Sequence, residues 1–152
     1  MPSLTTTYDA SQHCTATASS RGRSVAMECP YAGKGEELSP GDLLEAALAG
    51  CMLMSMGAAT MRDGIDLTGT AIDVELMGTP PPKTGCQAIN AVVKMPAGIE
   101  MADRTKLERA AEACPIKHSL DPGVEVTAVF EYQDESRLWM GQTPRALWVS
   151  SR

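Results

Sequence analysis

Short alternating runs open the chain and give way to one long apolar block. His13 to Ala18 alternates, with Thr15 and Thr17 on one side, and Ser24 to Cys29 alternates with Val25, Met27 and Cys29 together. The polar stretch Ser19-Ser20-Arg21-Gly22-Arg23 lies between them, so the pair predicts a hairpin. Pro30 to Glu37, with its glycines and lysine, predicts a loop.

Ser39-Pro40-Gly41-Asp42 predicts a helix start. Ser39 suits the cap, Pro40 the first helical position, and Asp42 the capping-box site usually held by Glu. The helix is expected to run to about Arg62, where Asp63-Gly64 stops it. From Leu43 to Met61 nearly every residue is Ala, Leu, Met, Gly or Ser, and Glu45 is the only charge. A helix apolar on nearly all sides is expected to be buried on nearly all sides, which makes this the central helix.

Thr68 to Met77 and Cys86 to Met95 predict a second hairpin around the Pro-rich turn Thr79 to Gly85. Ala102 to Ala113 predicts an amphipathic helix, with Leu107, Ala110, Ala111 and Cys114 at helical spacing. Pro115 disfavours simple continuation of that helix, and Pro115 to Leu120 predicts a further short turn. Val124 to Tyr132 alternates as a strand. Asp134 to Arg152 carries both Trp139 and Trp148 and is expected to form a short strand pair or an arm over part of a dimer. The order of strands, buried helix, strands, helix and strand predicts an α+β fold with helices packed on antiparallel sheets. A chain of 152 residues fits one domain.

Composition narrows the function. The net charge of -6 argues against non-specific nucleic-acid binding, which needs a basic surface. No apolar run approaches the ~20 residues of a membrane-spanning helix. Met1 to Ser11 lacks the layout of a secretion signal, so a cytoplasmic protein is expected, with no membrane partner. Aromatic residues are scarce and methionine abundant, which predicts an adaptable core with room for apolar ligands.

The five cysteines are Cys14, Cys29, Cys51, Cys86 and Cys114. An odd number without an export signal argues against a disulfide framework, and no CxxC spacing supports zinc. Cys51 lies mid-helix in Ala49-Gly50-Cys51-Met52, where apolar surroundings should raise its pKa and leave it inert unless a cation is brought in. The candidate cations are Arg21 and Arg23 on the hairpin turn. Cys114 precedes Pro115. As N-cap of a short helix it would face backbone N–H groups that favour a thiolate, and otherwise it is a buried residue of the preceding helix. His118, four residues on, is a candidate base for Cys114. His13 and Cys14 point to opposite faces of a strand, against a metal pair. Neither a serine-hydrolase triad nor a phosphate loop has a supporting motif.

Three segments together resemble the OsmC/Ohr family over about residues 10 to 132. Ser39-Pro-Gly-Asp-Leu-Leu-Glu-Ala-Ala-Leu-Ala-Gly-Cys51 is similar to the family's first-cysteine motif. Ala113-Cys114-Pro115-Ile116, followed by Ser119-Leu120, is similar to the second, and Thr15 to Arg23 resembles the stretch that supplies the catalytic arginine. The resemblance implies an intertwined homodimer with two interface active sites. It implies Cys51 as peroxidatic thiol, Cys114 as resolving thiol, and Arg21 or Arg23 as the supporting cation. The implied substrate is an organic hydroperoxide and the implied reductant a dithiol, with no cofactor or metal. Ohr and OsmC proper keep a glutamate directly after the proline to orient the arginine. Gly41 stands there in this chain, with Glu36, Glu37 and Glu45 nearby, which resembles the broader OsmC-like proteins more than Ohr or OsmC themselves. The alternatives are an OsmC-like dimer that binds a hydrophobic small molecule or senses redox state, and a structural dimer whose cysteines are merely buried.

Overall fold

The computed structural model describes residues 3–78 and 85–133. Trp139, Trp148 and most of the Thr79 to Gly85 turn lie outside them. The chain divides into two compact units, Met1–Leu44 and Glu45–Arg152.

The first unit carries an antiparallel sheet in the order β1-β2-β3, from β1 (Leu4–Ala10), β2 (His13–Ala18) and β3 (Arg23–Glu28). The predicted hairpin is β2 with β3, in register from His13 opposite Glu28 to Ala18 opposite Arg23. Its turn closes through Gly22, whose N–H donates to the Ala18 carbonyl at 2.9 Å with φ of 58°. Glycine takes that left-handed conformation without a Cβ penalty.

Beyond β3 the chain folds around one carboxylate. Glu28 is buried and accepts the backbone N–H groups of Lys34 at 2.9 Å, Glu36 at 2.8 Å and Glu37 at 3.3 Å. These amides, Lys34 foremost, hold its carboxyl below the usual carboxylate range. Gly33 is required here: a Cβ would sit 2.7 Å from the Cys29 carbonyl oxygen and from Glu28 Oε2.

Helix α1 (Pro40–Thr60) starts as the sequence predicts. Asp42 N–H donates to Ser39 Oγ at 3.1 Å and Ser39 N–H donates to Asp42 Oδ2 at 2.7 Å, a reciprocal capping box. The helix ends near the expected Asp63-Gly64 stop, where Gly64 has φ of 70°.

Two expectations about this helix need correcting. The helix has 21 residues, and an 18-residue window of it has a mean hydropathy of 1.5, enough by length and composition to cross a membrane. Glu45 and the interspersed small residues interrupt a strictly apolar run but leave the average high. Nor is α1 covered on nearly all sides within one chain. Leu48, Met52, Met56 and Thr60, four residues apart, are buried, whereas Met54 is 72% exposed. A single chain covers one stripe of an all-round apolar helix.

The second unit holds β4 (Ala71–Gly78), α2 (Met101–Glu112), α3 (Pro115–Ser119) and the strands β5 (Cys86–Lys94) and β6 (Glu125–Glu131), in sheet order β4-β5-β6. β4 and β5 are the predicted antiparallel pair. β6 runs parallel to β5, so this sheet is mixed rather than wholly antiparallel. The α2–α3 segment supplies the crossover that a parallel pair needs. Central β5 buries Ile89, Ala91 and Val93, and Ile89 and Val93 share a core cluster with Leu48, Met52 and Met56 of α1 and with Leu107 and Ala111 of α2. Cys114 belongs to the same core.

Candidate functional site

Two of the four predicted site residues come together. Cys51 projects from the middle of α1 and packs against the core cluster that contains Cys114. Cys114 follows Ala113, the C-cap of α2, and is itself the N-cap of α3, with Pro115 in its first turn. Its N–H donates to the Ala111 carbonyl at 3.1 Å, and its own carbonyl accepts the His118 N–H at 3.2 Å. These bonds tie the short helix to the end of α2. Both cysteines are free thiols, and they hydrogen-bond to each other.

The two sulfurs sit in unlike surroundings. Cys51 is half-buried, whereas Cys114 is fully buried. The Cys51 pKa falls below the ordinary thiol value. The Cys114 S–H contributes most to that, followed by the Ile116 backbone N–H, with the Ser55 hydroxyl adding a smaller share against the cost of burial. Burial pushes the Cys114 thiol up, helped by its hydrogen bond to Cys51 and only partly opposed by the Lys117 and Ile116 amides. Of the two, Cys51 gives up its proton the more readily and Cys114 holds its own the more firmly. The sequence argument expected Cys51 to be inert unless a cation reached it, and left Cys114 open between a cap-favoured thiolate and a buried thiol. Donors that reach Cys51 through space lower its pKa, and full enclosure makes Cys114 the buried thiol.

Arg21 and Arg23 lie in the other unit, at the β2–β3 turn and the first residue of β3, and both are exposed. His118 lines an open pocket of about 260 Å³ with Lys117, Leu120, Asp121, Pro122, Val124 and Val126. Of the carboxylates near the helix start, Asp42 is spent on the cap, where it accepts the Ser39 N–H. Glu45 accepts the Leu76 N–H at 2.8 Å and so anchors β4 to α1. Glu36 and Glu37 are exposed, with their N–H groups fixed on Glu28. Sequence reasoning missed Ser55 and the Ile116 amide. Ser55 was findable, because residues four apart share a helix face.

The sequence matches the OsmC-like protein family over residues 33–129. The chain belongs to the OsmC-like family. Solved structures agree in fold. A Psychrobacter arcticus protein described as an osmotic stress induced and detoxification response protein superposes with a TM-score of 0.79 at 23% identity, covering 86% of this chain and 96% of its own. An organic hydroperoxide resistance protein OsmC from Legionella pneumophila gives 0.65 at 15% identity, with 84% and 94% covered. The organic hydroperoxide resistance protein OhrB of Bacillus subtilis gives 0.63 at 18%, with 84% and 96% covered. No curated protein matches. At these identities the likeness is one of fold, and the OsmC-like core is the part shared.

Proposed function

We propose that this OsmC-like chain is a thiol-dependent peroxidase that reduces organic hydroperoxides. The observation that carries the reading is the Cys51–Cys114 pair, in which the more accessible sulfur is also the one that loses its proton more readily. A thiolate is the nucleophile such chemistry needs, and a neighbouring thiol limits over-oxidation.

The Cys51 thiolate attacks the distal oxygen of the hydroperoxide. The O–O bond breaks, the distal oxygen and its proton stay on Cys51 as a sulfenic acid, and the alkoxide leaves as an alcohol by taking a proton from water. The Cys114 sulfur then attacks the Cys51 sulfur, expels water and closes a disulfide, which a dithiol reductant returns to two thiols. Arg21 or Arg23 supplies the cation that binds the peroxide oxygen and supports the thiolate. A homodimer covers the open face of α1, where Met54 is exposed in the single chain. The similar proteins from Legionella and Bacillus, both described as organic hydroperoxide resistance proteins, support the same substrate class.

One observation favours a second reading, a hydrophobic-ligand or redox-sensing dimer with little turnover. Gly41 stands where Ohr and OsmC proper keep an arginine-orienting glutamate, and both Asp42 and Glu45 are engaged elsewhere. Consumption of an alkyl hydroperoxide with a dithiol reductant separates the readings. The peroxidase reading expects steady turnover that Cys51→Ser lowers by a thousandfold or more, on the order expected for loss of a nucleophile. Full activity in Cys51→Ser removes it, and a negligible wild-type rate with co-purified apolar ligand transfers the case to the second reading.

A further inference from the structure

We propose that Glu112 and Lys117 are positioning residues of the Cys51–Cys114 site, whose ion pair clasps the elbow between α2 and α3 and so keeps the Cys114 thiol enclosed beside Cys51. The inference rests on Cys114 being the resolving thiol.

Cys114 sits between two helices that are held very unequally. α2 is firmly seated, with Leu107 and Ala111 buried in the core. Tyr132, just past β6, adds a second tie. Its hydroxyl donates to Glu108 Oε1 at 2.9 Å, and the Arg104 guanidinium lies 4.2 Å from the centre of its ring. α3 has only five residues and buries none of them fully. Pro115 brings it no N–H. Ile116 and Leu120 pack on the core only in part, and Lys117 and His118 face the open pocket of about 260 Å³. A helix so short and so thinly packed opens locally at little cost.

A side-chain contact spans the elbow. Lys117 Nζ of α3 pairs with Glu112 Oε2 at the end of α2, so the two residues bracket Cys114 in the chain. The Lys117 side chain is only 14% exposed, so its stem lies across the junction rather than reaching into water. A pair with one member so enclosed is screened less than a surface pair. While the clasp holds, Cys114 stays fully buried in the cluster against which Cys51 packs. Without it, α3 lifts from the end of α2 and carries the thiol away from Cys51. In the proposed cycle the clasp therefore sets how soon Cys114 meets the sulfenic acid.

Alkylation of native protein by iodoacetamide in a Cys51→Ser background, with Cys114 followed by peptide mapping, reads the enclosure. Glu112→Gln and Lys117→Met should each label Cys114 about five- to tenfold faster, the factor expected on losing one partly buried ion pair. The shared direction is decisive. Charge alone would separate the two variants, since removing the Glu112 charge favours a thiolate at Cys114 and removing the Lys117 charge disfavours one. Unchanged labelling in either variant, or shifts of opposite sign, overturns the proposal. With Cys51 restored, both variants should leave a several-fold larger share of Cys51 as sulfinic acid after excess alkyl hydroperoxide, because a released Cys114 closes the disulfide late. An unchanged share in an active peroxidase overturns the positioning role. Labelling reads the clasp independently of peroxide. Faster labelling in a protein that reduces no hydroperoxide upholds the clasp and removes the peroxidase reading, while unchanged labelling in an active peroxidase removes the clasp alone.

Discussion

The middle of α1 and the α2–α3 junction each hold one cysteine, and the two thiols shift in opposite directions. Cys51 has no helix end near it in the chain, yet its proton is the easier to lose. Cys114 caps a helix, yet burial holds its proton on. The lesson is that a thiol responds to the donors that reach its sulfur and to its enclosure, whatever element carries it. A short helix also offers few amides, and full burial outweighs them at Cys114.

The sharpest way to break the comparison is to remove the keeper of the proton. Cys114→Ser should reduce about two equivalents of hydroperoxide and then stop, the first giving the Cys51 sulfenic acid and the second its sulfinic acid. Cys51 would proceed to sulfinic acid, seen by intact mass, because nothing closes the disulfide. Sustained turnover in this variant would mean that Cys114 is no resolving thiol.

A smaller effect asks whether neutral donors suffice for Cys51. Arg21→Ala and Arg23→Ala should differ, one losing roughly ten- to hundredfold in kcat/KM, as for loss of one transition-state donor, and the other staying near wild type. Wild-type kinetics in both, and in the double variant, would leave the hydrogen bonds as the whole support.

The smallest effect is a displacement in pH. The Cys51 midpoint for alkylation should lie below the ordinary thiol value of 9.0, and Cys114 should resist until higher pH. The linked stabilities run in opposite directions. Ionised Cys51 stabilises the fold above the unfolded thiol's pKa, and that contribution is lost as pH falls through its lowered value. Cys114 stabilises the fold below the unfolded pKa, and that contribution is lost as pH rises through its raised value. Differential alkylation against pH, with thermal unfolding at the same pH values, checks both signs.

Features made by neighbours in sequence were legible. The Ser39–Asp42 capping box, the β2–β3 hairpin with Gly22 at its turn, and Cys114 as the cap before Pro115 all follow from local chemistry. β1 was not singled out, because all seven of its residues are exposed and show no alternation of burial. The parallel pairing of β6 with β5 depends on the crossover between them and leaves no mark in either strand's pattern. The half-covered state of α1 was misjudged because an apolar helix calls for cover without saying which chain supplies it. At the site, choosing Cys51 and Cys114 rested on family motifs. Their protonation order needed the contacts of Ser55, Ile116 and Lys117.

The central claim is that Cys51 reacts and Cys114 resolves. Non-reducing peptide mapping after one equivalent of an alkyl hydroperoxide tests it most directly. A Cys51–Cys114 disulfide, reversed by a dithiol and missing in Cys51→Ser, is the predicted result. Oxidised protein in which both remain free thiols, or in which Cys51 pairs with another cysteine, would contradict it.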